Sequence, residues 1–169
     1  MQLIPAQVHQ LDAAMEIIDE AKRHLRDQGI DQWQTGYPGA EHILGDMRTG
    51  KGFFVEDAGE ILGYLCVDFD GEPAYDALNG QWHTDEPYVV VHRMAFSGAA
   101  RGRGLSDAVF GMVEAMSRER GVYSFRVDTD ADNRKMRHIL EKNGFTFRGT
   151  ICFDNSEKLA YDKRLERMP

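Results

Sequence analysis

The sequence predicts an α/β protein: one mixed sheet of about seven strands with four helices, spanning residues 1–169 as a single domain. Three observations predict it. Apolar β-prone runs alternate with stretches whose apolar residues recur at helical spacing. Glycines stand where those helical stretches should stop, at Gly29, Gly50, Gly121 and Gly144. Finally, a valine-rich run, Tyr88 to Phe96, leads through Ala100-Arg101-Gly102-Arg103-Gly104 directly into an amphipathic stretch that starts at Leu105.

Taken in order, Met1 to Pro5 reads as a short first strand. Leu11, Ala14, Met15, Ile18 and Leu25 place one apolar face on a helix from about Val8 to Gln28. The stretch from Asp31 to Gly39 is a loop dense in aromatic and amide groups, followed by a short helix from Glu41 to Arg48. Gly52 to Glu56 and Glu60 to Asp68 form a hairpin turned at Asp57-Ala58-Gly59-Glu60. Asp70 to Pro87 shows no periodicity, which suits a binding loop or a mobile one. After the strand Tyr88 to Phe96 comes a helix, Leu105 to Arg120, burying Leu105, Val109, Met112, Val113 and Met116. Ser124 to Asp128 is a strand. Asp132 is placed to cap a helix whose apolar face is Met136, Ile139 and Leu140. Phe145 to Phe153 and Leu159 to Leu165 close the chain as a hairpin through Asp154-Asn155-Ser156-Glu157.

Composition narrows the partners. A net charge of -8 and a pI near 5.2 argue against nucleic acid or an anionic membrane, since both reward a basic surface. The longest apolar run, Ile61 to Val67, is far short of the ~20 residues a membrane helix needs. The chain opens without a basic and then apolar leader, so a cytoplasmic location is expected. Cys66 and Cys152 lie in apolar runs without CxxC spacing and read as two reduced, buried thiols. The histidines occur singly, so no metal site is expected.

The glycine turn carries the chemistry. Gly102 and Gly104 let the backbone bend tightly and keep side chains away. A strand, a glycine turn and a helix start aim unpaired N–H groups at one point, which the helix dipole makes attractive to an anion. Arg101 and Arg103 add guanidinium charge suited to phosphate oxygens. A nucleotide P-loop needs GxxxxGK[ST], and a dinucleotide fingerprint needs three glycines early in a βαβ unit. Neither is present.

The order of elements, with RGRG at this strand–helix junction, resembles the GNAT (Gcn5-related) N-acetyltransferases. Their signature is Gln or Arg, two residues, Gly, one residue, then Gly or Ala; here it spans Ala99 to Gly104, with Ala99 at the first position. Two further markers are the run Val127-Asp128-Thr129-Asp130-Ala131-Asp132-Asn133 and the helix end Leu140-Glu141-Lys142-Asn143-Gly144-Phe145. Segments Ile30 to Pro38 and Pro87 to Phe96 are similar to an uncharacterised bacterial subgroup.

The resemblance implies acetyl-CoA as cofactor. It places the pyrophosphate on the backbone of Arg101, Gly102, Arg103, Gly104, Leu105 and Ser106. The pantetheine arm would lie along Met94, Ala95 and Phe96, where a bulge frees backbone groups, with Asn133 and Met136 beside it. The reaction implied is direct attack of an acceptor amine on the thioester. An alkylamine with a pKa near ~10.4 is neutral in only about one molecule in ~2,500 at pH 7, so a base helps. His92 is the first candidate, since an imidazole is ordinarily mostly neutral at pH 7 and similar arylalkylamine acetyltransferases carry a histidine at this offset; Glu20 and Glu86 follow. The family's usual acid, a tyrosine before the "EK", is Leu140 here, which leaves Tyr161 or water. Trp33, Tyr37, Tyr75 and Trp82 are candidate walls for the acceptor, a small-molecule or peptide amine, and an aromatic, acid-bearing cleft would suit a cation. An exposed closing hairpin would also allow a homodimer. A CoA-binding regulatory or interaction protein that has lost catalysis is the alternative, favoured by Ala99 and Leu140.

Overall fold

The computed structural model describes residues 1–153 and 155–168. Among these the strands are β1 (Gln2–Pro5), β2 (Gly52–Asp57), β3 (Glu60–Asp68), β4 (Asn79–Gly80), β5 (Val89–Phe96), β6 (Ser124–Thr129), β7 (Thr146–Phe153) and β8 (Ser156–Arg164). The helices are α1 (Leu11–Asp27), α2 (Ala40–Arg48), α3 (Leu105–Glu119) and α4 (Arg134–Lys142). Two compact units form: Met1–Val67 with Val91–Val109, and Asp68–Val90 with the chain from Phe110 on.

In the first unit the strand order is β1-β2-β3-β5, with β1 and β3 antiparallel to β2. Residues Ala58 and Gly59 both take positive φ, 50° and 82°, the pair of left-handed residues that a tight β2–β3 turn demands. α1 turns Ala14, Ile17 and Ile18 inward, one helical stripe, and they pack with Ile43 and Met47 of α2 and with Phe54 and Tyr64 of the strands. That apolar layer fixes the loop between the two helices, because both of its ends are anchored in it.

In the second unit the order is β5-β6-β8-β7-β4. β5 runs parallel to β6 at Val89 and Val90, whereas β8 lies antiparallel between β6 and β7. Phe110, Phe125 and Phe145 meet as a triangle of rings, with centroids 5.9, 5.4 and 4.9 Å apart. Two of the three contacts, those of Phe125, are edge-to-face, an arrangement that adds to the burial of each ring.

Three expectations change. The eighth strand, β4, comes from the stretch without periodicity; two residues suffice, because Gly80 and Gly149 face each other where a Cβ on either would strike the other backbone. Cys66 is buried as expected, but Cys152 is exposed: strand alternation sends Ile151 inward and its neighbour outward. The cap of α4 is Asn133 and not Asp132. The Asn133 N–H closes a turn on the Asp130 carbonyl, the helix starts one residue later, and Asn133 Oδ1 accepts from the Met136 N–H at 3.1 Å. Of the expected turn between the last two strands, Asp154 lies outside the described residues.

Candidate functional site

In the first unit β5 ends at Phe96 and α3 begins at Leu105, so the intervening residues are held by local bonds. The N–H groups of Ala100 and Arg101 donate to the Ser97 carbonyl at 3.1 and 3.0 Å, forming one turn. Glu20 of α1 takes the Gly98 N–H at 2.6 Å, which ties this turn to the first helix and occupies an expected alternative base. Gly102 and Gly104 adopt φ of 81° and 70°. A Cβ at either would meet nothing within 4 Å, so conformation demands these glycines and the face of the turn is open. Arg101 reaches back to the Phe96 carbonyl at 3.4 Å, and Arg103 is exposed. The turn, with an arginine at 101 and another at 103, opens directly onto the first residue of a fifteen-residue helix.

Upstream, β5 is kinked. Arg93 takes φ 54°, which an L-residue adopts at a cost, and the fully buried run Val89 to His92 ends there. His92 is buried immediately before the kink; Met94 and Phe96 are half-buried and Ala95 is buried after it. Arg93 forks onto Asp46 of α2, Nε to Oδ2 at 2.8 Å and Nη2 to Oδ1 at 2.6 Å, with both side chains largely buried. Its Nη1 donates to the Tyr37 hydroxyl at 2.6 Å, and Tyr64 donates to Asp46 Oδ2 at 2.8 Å. Burial works against the Arg93 charge, but the bond to Asp46 together with the nearby Tyr37, Cys66 and Asp46 groups outweighs it and holds the guanidinium protonated; burial beside Asp46 pushes the Tyr64 phenol well up. Sequence reasoning missed Arg93 and Asp46. The signal was an arginine inside an apolar strand, a charge that can be buried only with a partner. Trp33, at φ 64°, lines a cavity of about 310 Å³ with Asp19, Lys22, Arg23, Arg26, Gln34 and Gly36, a rim more basic than the acid-bearing cleft expected.

In the second unit the stretch before β5 is pinned. Tyr75 is 1% exposed and donates to Asp128 Oδ2 at 2.7 Å; burial and that carboxylate push its phenol well up. Trp82 packs on Tyr75 and donates to its carbonyl at 3.0 Å. The Arg126 guanidinium lies between the rings of Trp82 and Tyr88, 4.2 and 3.9 Å from their centroids, and donates to the Thr84 carbonyl at 2.7 Å. The aromatic pair therefore already holds a cation, the chain's own arginine. Glu86 is exposed, Met136 is half-buried on α4, and Leu140 is buried. Tyr161 is buried on β8 with its ring 5.8 Å from that of Phe147. Among the described residues no group of His, Cys, Asp and Glu could hold a metal ion, and no helix is long and apolar enough to cross a membrane.

A mixed sheet, a kinked strand and a glycine turn opening a helix define the architecture of acyltransferases that use coenzyme A thioesters. The comparisons make it specific. A family model described as the acetyltransferase (GNAT) family matches residues 13–145. A GNAT-family acetyltransferase from Streptococcus agalactiae 2603 is 33% identical with a TM-score of 0.87, over 98% of this chain and 96% of that one. Another, from Listeria monocytogenes 4b F2365, is 21% identical with a TM-score of 0.77, over 96% and 94%. Aminoglycoside acetyltransferase AAC(6')-Ib, solved with coenzyme A and kanamycin, is 18% identical with a TM-score of 0.68, over 96% and 94%, and shares the fold. Among curated proteins none matches. The chain belongs to the acetyltransferase (GNAT) family and is an acetyl-CoA-dependent N-acetyltransferase.

Proposed function

We propose that the chain moves the acetyl group of acetyl-CoA to a primary amine of a small molecule or a peptide, by direct attack in a ternary complex. The observation that carries this is the open, twice-glycine-bent turn ahead of α3 in a chain of this family. When bound, acetyl-CoA supplies an acyl group activated as a thioester. The backbone of Arg101 to Ser106 binds its pyrophosphate, for the reasons that favour anions at helix starts. Met94, Ala95 and Phe96 offer backbone groups to the pantetheine arm beyond the kink at Arg93, Asn133 offers its amide, and Met136 an apolar contact. His92 takes the proton of the attacking amine, and Tyr161 returns one to the departing sulfur. We keep the acceptor beside Trp33 and Tyr37. We do not assign Tyr75 and Trp82 to it, because one is buried and the other stacks on Arg126. We also propose a reducing, cytoplasmic setting, which suits cysteines without CxxC spacing, and a bacterial source, which the bacterial relative supports.

A CoA-binding protein without catalysis is the second reading, favoured by buried Leu140 where the family uses a tyrosine, and by Ala99. Calorimetry with acetyl-CoA, followed by thiol release across a panel of primary amines, separates the two. Binding with turnover is the expected result. Binding without turnover on any amine selects the second reading, and no binding overturns both.

A further inference from the structure

A single carboxylate in the first unit gathers an unusual number of donors. Asp46 accepts Nε and Nη2 of Arg93 and the hydroxyl of Tyr64, at 2.8, 2.6 and 2.8 Å. These groups come from α2, β5 and β3. The third arm of the guanidinium, Nη1, donates to the Tyr37 hydroxyl in the loop between α1 and α2. The Tyr37 ring is braced in turn by the edge of His42, with centroids 4.8 Å apart. Lys22 holds the same loop through the Pro38 carbonyl at 2.6 Å. Four segments thus meet on one ion pair, and Arg93 itself is the left-handed residue that kinks β5.

A lone salt bridge buried this deeply is a poor source of stability, because desolvating both charges offsets most of their attraction. A forked, fully directed pair does something else well: it selects one geometry. Arg93 occupies a backbone conformation that only its surroundings can enforce, and it lies between His92 and Met94-Ala95-Phe96. We propose that Arg93 is a positioning residue, its fork on Asp46 setting the kink of β5 and its third arm setting Tyr37, so that the strand assigned to the acyl donor and the loop assigned to the amine are aligned from one carboxylate. This rests on the proposed function for what the strand and loop bind; the alignment itself is a property of the free chain.

The test therefore has two arms. Hydrogen exchange on the free protein reads the alignment without any ligand. Arg93→Lys retains the charge but has a single head that cannot span Asp46 and Tyr37 together. It should speed exchange in the peptides covering 31–39 and 92–97 together while leaving 110–118 as in wild type. Asp46→Asn should do the same, and Tyr37→Phe should affect 31–39 alone. Calorimetry with acetyl-CoA reads the consequence. If the competent kink falls to about a tenth of the population in Arg93→Lys, affinity drops about tenfold. Arg93→Gln should lose more than Arg93→Lys, since it loses the charge as well. Exchange in 31–39 and 92–97 that stays at wild-type rates in Arg93→Lys, or rises equally across the whole chain, overturns the proposal. If Arg93→Lys does not fold, Tyr37→Phe decides: exchange unchanged in 31–39 overturns it. Failure of wild type to bind acetyl-CoA would instead overturn the functional reading, with the exchange arm still deciding the alignment.

Discussion

Replacing Gly102 by alanine separates the conformational cost of the turn from its role in holding an anion. At φ 81° an added Cβ costs about 1–2 kcal/mol, the usual penalty for an L-residue in the left-handed region. Nothing lies within 4 Å of that Cβ, so no steric term adds to it. In a chain of this size each kcal/mol lowers the melting temperature by about 2–4 °C, so a fall of roughly 2–8 °C is expected. Gly121, at the opposite end of α3, is the matched control: its φ is 70°, and a Cβ there also meets nothing within 4 Å. Gly121→Ala should therefore melt as early as Gly102→Ala. The two should part in calorimetry with acetyl-CoA. At Gly102 the methyl group enters the open face assigned to the pyrophosphate, and affinity should fall about tenfold, ~1.4 kcal/mol. Gly121→Ala should bind as wild type does. The assignment is wrong if Gly102→Ala retains wild-type affinity, or if Gly121→Ala loses as much.

Three further outcomes follow from the same geometry. His92→Gln should slow thiol release by about 10²-fold or more while acetyl-CoA binding stays as in wild type; a wild-type rate would remove His92 from the reaction. Raised phenol pKa values at Tyr64 and Tyr75 keep both protonated when folded, while the unfolded chain ionises from pH ~10 upward, so their contribution is complete below that pH and is lost above it. Denaturant titrations should show stability falling from pH ~10 upward and a shallower fall in Tyr64→Phe and Tyr75→Phe; equal slopes would contradict this. Asn133→Ala should cost about 1 kcal/mol through the lost cap of α4, read as an earlier urea midpoint with an unchanged slope.

Most of the architecture was legible in the chain because it rests on local patterns. The stripe through Ala14 and Ile18, the Ala58–Gly59 turn and the Gly102–Gly104 bend are all rules of spacing or of backbone conformation. β4 escaped such reading because a two-residue strand has no period; only the approach of Gly149 creates it. Cys152 was misplaced for a related reason. An apolar run does not say which of its alternating residues faces the core, whereas pairing with β8 does.

By itself, then, the sequence determined the family fold and the glycine-bent turn ahead of α3, since periodicity, glycine stops and the spacing of Gly102 and Gly104 are properties of neighbours along the chain. Only the tertiary structure decided that Arg93 answers Asp46, forty-seven positions away, and that the rings of Trp82 and Tyr88 enclose Arg126. Buried charges and aromatic faces choose their partners by three-dimensional proximity, and no pattern along the chain encodes that choice.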